Sequence, residues 1–313
     1  MIALVCPGQG SQTPGFLAPW LELPGLRERA EALSDAAGVD LVTHGTTSDA
    51  DTIRDTAVAQ PLIVGAGLLA LDALYADSPD TLASSAGVVA GHSVGEITAA
   101  AATGVLTPQD AMSLVSLRGR AMAEASAITP TGMSAVLGGD PAEVAAALDR
   151  HGLTPANMNG AGQVVAAGTL DQLAALAADP PAKARVIPLQ VAGAFHTVHM
   201  APAVGVIDPE WTDHDVSDPG VTLLSNTDGT AVASGAEFLR RIISQVRNPV
   251  RWDLCMETMT ELGVTGLVEL APAGTLVGLA KRAMKGVPTV ALKTPDDLDA
   301  ARELLAASTS AKA

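Results

Sequence analysis

The chain has 313 residues, and its 34 acidic against 18 basic side chains give a formal net charge of −16. This balance, with only 2% aromatic residues, excludes a nucleic-acid-binding protein, which needs basic side chains for phosphates and usually aromatic faces for bases. The 48% hydrophobic content excludes intrinsic disorder, and the length predicts about two domains or one large α/β domain with an insertion.

The amino terminus is apolar with no basic run before it, so we predict a first strand at residues 2–6 rather than a secretory signal. The longest nearly continuous apolar run, residues 61–71, is shorter than the ~18–20 residues that cross a bilayer, which predicts no membrane span. Cys6 and Cys255 are isolated, and the close histidine pair His196 and His199 has no acidic ligand nearby. We therefore expect a cytoplasmic protein without a metal site.

Short apolar runs alternate with longer helical patterns, which is typical of an α/β fold with a parallel sheet covered by helices. The predicted strands of this sheet are residues 2–6, 87–90, 221–225 and 266–269. In such a sheet, the residues of the active site usually lie at the carboxyl ends of the strands.

Between residues 131 and 190 the pattern changes to β-α-β-β-α-β, the order of a ferredoxin-like unit. The predicted strands are 133–137, 154–157, 163–167 and 185–189, and the predicted helices are 141–151 and 169–178. Segments with glycine and proline flank this unit and suit hinges. We therefore predict a large domain formed by residues 1–128 and 193–313, a small domain at residues 129–192 inserted into it, and a cleft between them.

Residues 91–95 read Gly-His-Ser-Val-Gly between an apolar run and a segment of helical composition. A serine at a tight strand-to-helix turn needs small neighbours, and Gly91 and Gly95 meet that need. The first amides of the helix would then point at the serine oxygen and stabilise negative charge on an attached acyl group. The pattern favours Ser93 as a nucleophile over an ordinary tight turn.

A serine nucleophile needs a base, and the candidates are His92, His196 and His199. His92 lies directly beside Ser93, where its side chain would diverge, so we predict that it braces the turn. His196 lies where the chain returns to the large domain, facing the predicted cleft. A single histidine beside a phenylalanine is more often a packed or surface residue, and spacing alone does not overturn that interpretation.

Six motifs follow one another along the chain: Pro-Gly-Gln-Gly-Ser-Gln at 7–12, Gly-His-Ser-Val-Gly-Glu at 91–96, Arg-Gly at 118–119, Asn157-x-Asn159 with Gln163-Val-Val, Ala-Phe-His at 194–196 and Asn-Pro-Val-x-Trp at 248–252. In order and spacing they resemble the malonyl-CoA:acyl-carrier-protein transacylases, and the similarity continues to residues 276–282, so it covers nearly the whole chain. The resemblance implies an α/β-hydrolase-like large domain with an inserted ferredoxin-like α+β domain. Cys6 and Ala271 depart from the family pattern, at positions to which we assign no chemistry.

The resemblance implies a role for each residue of the motifs. Ser93 would carry the acyl group, and His196 would act as base, oriented by a backbone carbonyl that we assign to Gln245. The backbone amides of Gln9 and Val94 would stabilise the oxyanion. Without the resemblance, the segment 7–12 is equally well a flexible glycine turn.

Arg118 shares a helical face with the apolar residues Met112, Val115 and Met122. An arginine there is usually a snorkelling surface residue. In the family that the chain resembles, the matching arginine pairs bidentately with the free carboxylate of the malonyl group, which implies selection against acetyl thioesters.

The remaining positions that match the family are expected to line the substrate site, and they are His92, Phe195, Asn157, Asn159 and Gln163. In related polyketide acyltransferases, an Ala-Phe-His triplet goes with malonyl units and a serine in place of the phenylalanine goes with methylmalonyl units. Phe195 is therefore expected to fill the space that a methyl branch needs.

These roles imply ping-pong transfer of malonyl from malonyl-CoA, through malonyl-Ser93, to the phosphopantetheine thiol of an acyl carrier protein. The enzyme, expected to be a monomer without a cofactor of its own, would supply fatty acid or polyketide synthesis. A serine esterase or thioesterase is the alternative, but no acid between Ser93 and His196 is marked by a motif or strand end. A scaffold that only docks the carrier is the third hypothesis.

Acidic carrier proteins would be repelled by a chain of net charge −16. Residues 236–290, however, contain seven basic and five acidic side chains. We therefore predict a local basic docking patch, with a mixed solvated surface as the alternative. The patch is assigned to Lys281, Arg282 and Lys285.

Overall fold

The computed structural model describes residues 1–76 and 81–310, so residues 77–80 and 311–313 of the predicted large domain lie outside it. The described strands are β1 (Ile2–Cys6), β2 (Val88–Gly91), β3 (Thr131–Gly138), β4 (Thr154–Gly160), β5 (Gln163–Thr169), β6 (Ala184–Pro188), β7 (Thr222–Leu224), β8 (Gly266–Glu269) and β9 (Thr289–Ala291). The helices are α1 (Leu26–Ala37), α2 (Leu41–Thr46), α3 (Thr56–Tyr75), α4 (Leu82–Ser85), α5 (Gly95–Ala102), α6 (Pro108–Ile128), α7 (Pro141–Arg150), α8 (Leu170–Ala178), α9 (Ala201–Trp211), α10 (Gly235–Gln245), α11 (Trp252–Glu261), α12 (Thr275–Ala283) and α13 (Leu298–Ser310). Short 3₁₀ turns lie at Trp20–Glu22, Thr52–Arg54, Val198–Met200 and Pro295–Asp297.

The larger sheet is parallel throughout and has the strand order β7-β2-β1-β8-β9. Every residue of β1 is buried, with Leu4 in the core on one face and Val5 in the core on the other. Burial on both faces explains why these strands are short continuous apolar runs rather than alternating ones. The four predicted strands are confirmed with ends shifted by at most one residue, whereas β9 was not predicted.

The smaller sheet is antiparallel and has the order β4-β5-β3-β6. Helices α7 and α8 cover it, and their residues Val144, Leu148 and Leu176 share a core with Val136 and Ala166 of the strands. This topology is the predicted ferredoxin-like unit, so the predicted fold class is confirmed. The domain limits at residues 129 and 192 stay a prediction.

Strand β4 joins the small sheet to the rest of the protein. The Met158 amide donates to the Val250 carbonyl at 2.9 Å, and the Val250 amide donates to the Ala156 carbonyl at 2.9 Å. The small sheet is thereby hydrogen-bonded to the segment that leads into α11. Strand β4 also runs past its predicted end at residue 157, because Met158 and Gly160 still pair with Val164 and Gln163 of β5.

Helix α3 is long and apolar enough, by length and composition, to cross a membrane. In the described structure 78% of its most apolar window is buried, and the helix packs against α5 and α6. We therefore interpret α3 as a core helix. The predicted apolar run 61–71 is the middle of this longer element.

Candidate active site

Ser93 lies in the turn between β2 and α5 with a φ of 54°, in the left-handed region that side chains rarely adopt. A Cβ added to Gly91 would lie 2.0 Å from the carbonyl carbon of Gly95, and one added to Gly95 would lie 2.2 Å from the carbonyl oxygen of Cys6. The strand and the helix can cross this closely only because both positions lack a side chain. The elbow therefore has the geometry that the Gly-x-Ser-x-Gly pattern predicts.

His196 contacts Ser93 directly. Its Nε2 lies 2.7 Å from the Ser93 Oγ, and its Nδ1 lies 2.8 Å from the backbone carbonyl oxygen of Gln245. A carbonyl can only accept, so Nδ1 carries the ring proton and Nε2 is left to accept the serine hydroxyl. The imidazole is thus held in the tautomer that a general base requires.

His196 is 3% exposed. Burial, and then the nearby charge of Arg118, lower the pKa of His196 to about 3. The imidazole is therefore neutral at pH 7 and has an unprotonated Nε2 facing the hydroxyl.

Two backbone amides near Ser93 are available as donors. Within the described residues, the N–H groups of Gln9 and Val94 have no acceptor, and both residues line the cavity around the serine. The amide of Ser93 itself is occupied, because it donates to Asn226 Oδ1 at 2.8 Å. The Gln9 side chain donates to the Arg54 carbonyl at 3.4 Å and so tethers the loop. The two free amides can stabilise an oxyanion.

Arg118 is 2% exposed and projects from the buried face of α6 toward the serine. One terminal nitrogen donates to Gln60 Oε1 at 2.6 Å, the other lies 3.4 Å from Ser93 Oγ, and Nε has no partner among the described residues. Within the described chain Arg118 forms no salt bridge. Burial lowers the pKa of Arg118 to about 10, so the guanidinium is still charged at pH 7. A buried cation beside a nucleophile suits a substrate with a free carboxylate.

One cavity of about 220 Å³ brings the predicted residues together. Apolar side chains of both units form much of its wall, among them Met122, Met133, Val165 and Leu279. The predicted residues that line it are Gln9, His92, Ser93, Val94, Arg118, Asn157, Asn159, Gln163, Phe195 and His196. Gln245 lies behind the imidazole, and the predicted docking residues lie outside the cavity.

His92 connects the elbow to the small sheet. Its Nε2 lies 2.9 Å from Asn159 Oδ1, and its ring packs edge-on against Trp252 with centroids 5.7 Å apart. Burial lowers the pKa of His92, which favours a neutral ring. The neighbouring Asn157 has a buried side-chain oxygen without a partner among the described residues. These contacts join the turn to the small sheet and to Trp252, and the role of His92 as a brace stays a prediction.

Lys281, Arg282 and Lys285 are exposed at the carboxyl-terminal end of α12, whose Leu279 lines the cavity. Arg282 donates to Gln163 Oε1 at 2.9 Å, at the edge of the cavity. Among the described residues, none of these three cations has a salt-bridge partner. Arg282 thus lies at the edge of the cavity, and the docking role of these three residues stays a prediction.

Three polar residues of the site were not predicted. Gln60 holds Arg118, Asn226 holds the Ser93 amide, and Glu96 accepts the Asn226 amide at 2.7 Å. The sequence does mark two of these residues. Asn226 follows β7 at the carboxyl end of the sheet, where site residues collect, and Gln60 is a single amide within an apolar run. Glu96 follows the Gly-x-Ser-x-Gly pattern directly.

Comparison with known proteins agrees with this geometry. Residues 3–307 match the family model described as acyl transferase domain. The malonyl CoA-acyl carrier protein transacylase of Mycobacterium tuberculosis (strain ATCC 25618 / H37Rv) is 54% identical over 299 residues, which cover 96% of this chain and 98% of that protein.

Two solved structures extend the comparison. The crystal structure of MCAT from Mycobacterium tuberculosis has a TM-score of 0.91 at 54% identity and covers 97% of this chain and 99% of its own. A type II PKS acyl-carrier protein in complex with its malonyl-transacylase aligns with a TM-score of 0.89 at 29% identity, over 96% of this chain and 99% of that chain. The chain therefore belongs to the acyltransferase family, among the malonyl CoA-acyl carrier protein transacylases.

Proposed function

We propose that this enzyme transfers the malonyl group from malonyl-CoA to the phosphopantetheine thiol of an acyl carrier protein through a malonyl-Ser93 intermediate. The observation that carries the proposal is the buried guanidinium of Arg118, which lies 3.4 Å from the Ser93 Oγ and has no carboxylate partner within the described chain. A malonyl group attached to that oxygen would place its free carboxylate within reach of this cation.

In the first half-reaction, Ser93 Oγ attacks the thioester carbonyl while His196 Nε2 accepts its proton. The resulting oxyanion is stabilised by the amides of Gln9 and Val94. When the C–S bond breaks, the coenzyme A sulfur takes the proton back from His196 and leaves as a thiol. The acyl group remains on Ser93 as an ester.

In the second half-reaction, His196 removes the proton of the carrier thiol, and the sulfur attacks the ester carbonyl of malonyl-Ser93. The same two amides stabilise the second oxyanion. The C–O bond then breaks, and Ser93 Oγ regains a proton from His196. Nucleophile, base and oxyanion donors all come from the chain, which supports our expectation that no cofactor takes part.

We also propose that the carrier docks on Lys281, Arg282 and Lys285. The inserted domain is proposed to consist of residues 129–192. The enzyme is proposed to act as a monomer in the cytoplasm. Cys6 and Cys255 are free and buried, which suits a reducing compartment. Either a fatty acid or a polyketide carrier is compatible with the site.

Serine ester hydrolysis is the competing activity, because water is the simplest acceptor. In the usual hydrolase triad an aspartate or glutamate contacts the histidine Nδ1. In this site the group on His196 Nδ1 is the Gln245 carbonyl. This arrangement, with a buried cation for a carboxylate substrate, favours transfer.

The test is to incubate the enzyme with malonyl-CoA without carrier protein and to follow its intact mass. We expect one malonyl group on Ser93, released only when the carrier with its phosphopantetheine arm is added. Ser93→Ala is the control and should acquire none. Steady release of malonate without carrier would favour the esterase. If Ser93→Ala supported transfer to the carrier as well as wild type does, Ser93 would not be the nucleophile, and the docking-scaffold hypothesis would remain.

A further inference from the structure

A buried carboxylate lies beneath the Ser93–His196 pair. Glu96 is 0% exposed, is the second residue of α5, and is not part of the cavity wall. Burying a carboxylate is costly unless hydrogen bonds compensate its charge. Glu96 takes no part in the reaction steps described above, so its retention in the core calls for a physical reason.

Both oxygens of Glu96 accept hydrogen bonds from N–H donors. Oε1 accepts from the backbone amide of Asn226 at 2.7 Å, and Oε2 accepts a short bond from the side-chain amide of Gln245. Two donors directed at one carboxyl group fit its ionised form, which has only acceptors.

Each partner of Glu96 holds one member of the reacting pair. The Gln245 carbonyl accepts from His196 Nδ1 at 2.8 Å. The Asn226 side chain accepts the Ser93 amide at 2.8 Å and donates to the Gly91 carbonyl at 2.7 Å. One carboxylate therefore joins the loop after β7 and the end of α10, which together fix the nucleophile and the base.

We propose that Glu96 is a positioning residue whose carboxylate sets the distance between Ser93 and His196 by holding Asn226 and Gln245. This inference rests on the proposed function, because it concerns the same acylation step. Loss of the Glu96 charge would allow the loop after β7 and the end of α10 to shift. Small displacements of reacting groups lower the reaction rate strongly. Glu96 itself touches neither the substrate site nor the reacting atoms.

The charges around Glu96 support this role. Burial raises the pKa of Glu96 to about 8, while the bonds from Asn226 and Gln245 and the charge of Arg118 lower it. The charged or titratable groups that interact with it are Arg118 on α6 and Cys255 on α11. The pKa of Arg118 is about 10 and burial raises the pKa of the Cys255 thiol, so Glu96 is the group of this set that would titrate near pH 8.

The test is the single-turnover rate of Ser93 malonylation in wild type and Glu96→Gln, measured across pH in the absence of carrier. We expect Glu96→Gln to lower the rate roughly 100-fold with little change in the KM for malonyl-CoA. The wild-type rate should rise as Glu96 ionises, and this ionisation should be missing from the variant. Gln245→Met keeps the carbonyl but removes the bond to Glu96, and it should lower the rate by about tenfold.

Glu269→Gln is the matched control. Glu269 is also 0% exposed, but it accepts the amides of Gly274, Leu276 and Val277 and contacts neither Asn226 nor Gln245. The Glu269→Gln variant should have a lower free energy of unfolding in urea, while the pH profile of its malonylation rate should keep the wild-type shape. Superimposable wild-type and Glu96→Gln profiles, or an unchanged rate in Glu96→Gln, would overturn the inference. Absence of any malonyl adduct in wild type would instead overturn the proposed function.

Discussion

Ser93 Oγ and His196 Nε2 lie 2.7 Å apart although both residues have a left-handed backbone, with φ values of 54° and 60°. Such conformations cost free energy and persist only where the surroundings fix them. Here Asn226 fixes the serine amide and the Gln245 carbonyl fixes the imidazole. The hydrogen bond between nucleophile and base therefore exists before substrate binds.

Gly91→Ala should destabilise the protein by about 3 kcal/mol or more, because the added methyl would meet the backbone of Gly95 at 2.0 Å. Gly278→Ala is the control. Nothing lies within 4 Å of a Cβ at Gly278, which is inside α12, so this change should raise stability by up to about 1 kcal/mol. Urea unfolding midpoints measure both, and equal midpoints would contradict the steric account of the elbow.

Arg118→Ala should lower malonyl transfer by roughly two to three decades and leave acetyl transfer unchanged or faster. The reason is that the malonyl carboxylate loses its only proposed counter-ion, whereas an acetyl group has no charge to pair. Transfer rates with the two thioesters measure the effect. Arg120→Ala, on the exposed side of the same helix, should change neither rate. Normal malonyl transfer by Arg118→Ala would refute the assignment.

Phe195→Ser should increase the rate with methylmalonyl-CoA relative to malonyl-CoA by roughly tenfold or more. Phe195 is 6% exposed and lines the cavity next to His196, so the smaller side chain leaves room for a methyl branch. Competition between the two substrates gives the ratio directly. Phe195→Leu keeps more volume and should move the ratio less. A ratio that stays constant in Phe195→Ser would show that other residues exclude the branch.

Lys281→Glu should raise the apparent KM for the carrier protein by about threefold to tenfold, with less effect on malonyl-CoA. An acidic carrier would meet a negative charge at the mouth of the cavity, and added salt should weaken the difference. Arg27→Glu makes the same charge change on α1, away from the cavity wall, and should leave the carrier KM unchanged. Equal effects of the two variants would point to net charge rather than docking.

The sequence predicts the fold well where burial is continuous. Strands β1, β2, β7 and β8 are apolar runs between loops, and their ends are shifted by at most one residue. Strand β9 has three residues that are only half-buried, which is too weak a pattern to recognise. Strand β4 extends beyond residue 157 because Met158 and Gly160 still pair with β5, across register shifts that no local pattern marks.

The site is predictable only in part from local patterns. The Gly-x-Ser-x-Gly elbow follows from neighbouring residues, since the steric need for Gly91 and Gly95 is local. His196 lies 103 positions from Ser93, and without the family resemblance the sequence does not decide which histidine is the base. Gln60 and Asn226 act through contacts 58 and 133 positions apart, which no periodicity encodes.

The cavity beside Ser93, about 220 Å³, is smaller than the ~300–1,000 Å³ of a typical ligand pocket. It can hold an acyl group and the first atoms of a thiol arm, so we expect the nucleotide of coenzyme A and the folded body of a carrier to rest outside it, at the rim. We expect them to share this rim and so to exclude each other. We therefore expect free coenzyme A to behave as a competitive inhibitor toward the carrier, so that the space available at the rim enforces the order of the two half-reactions.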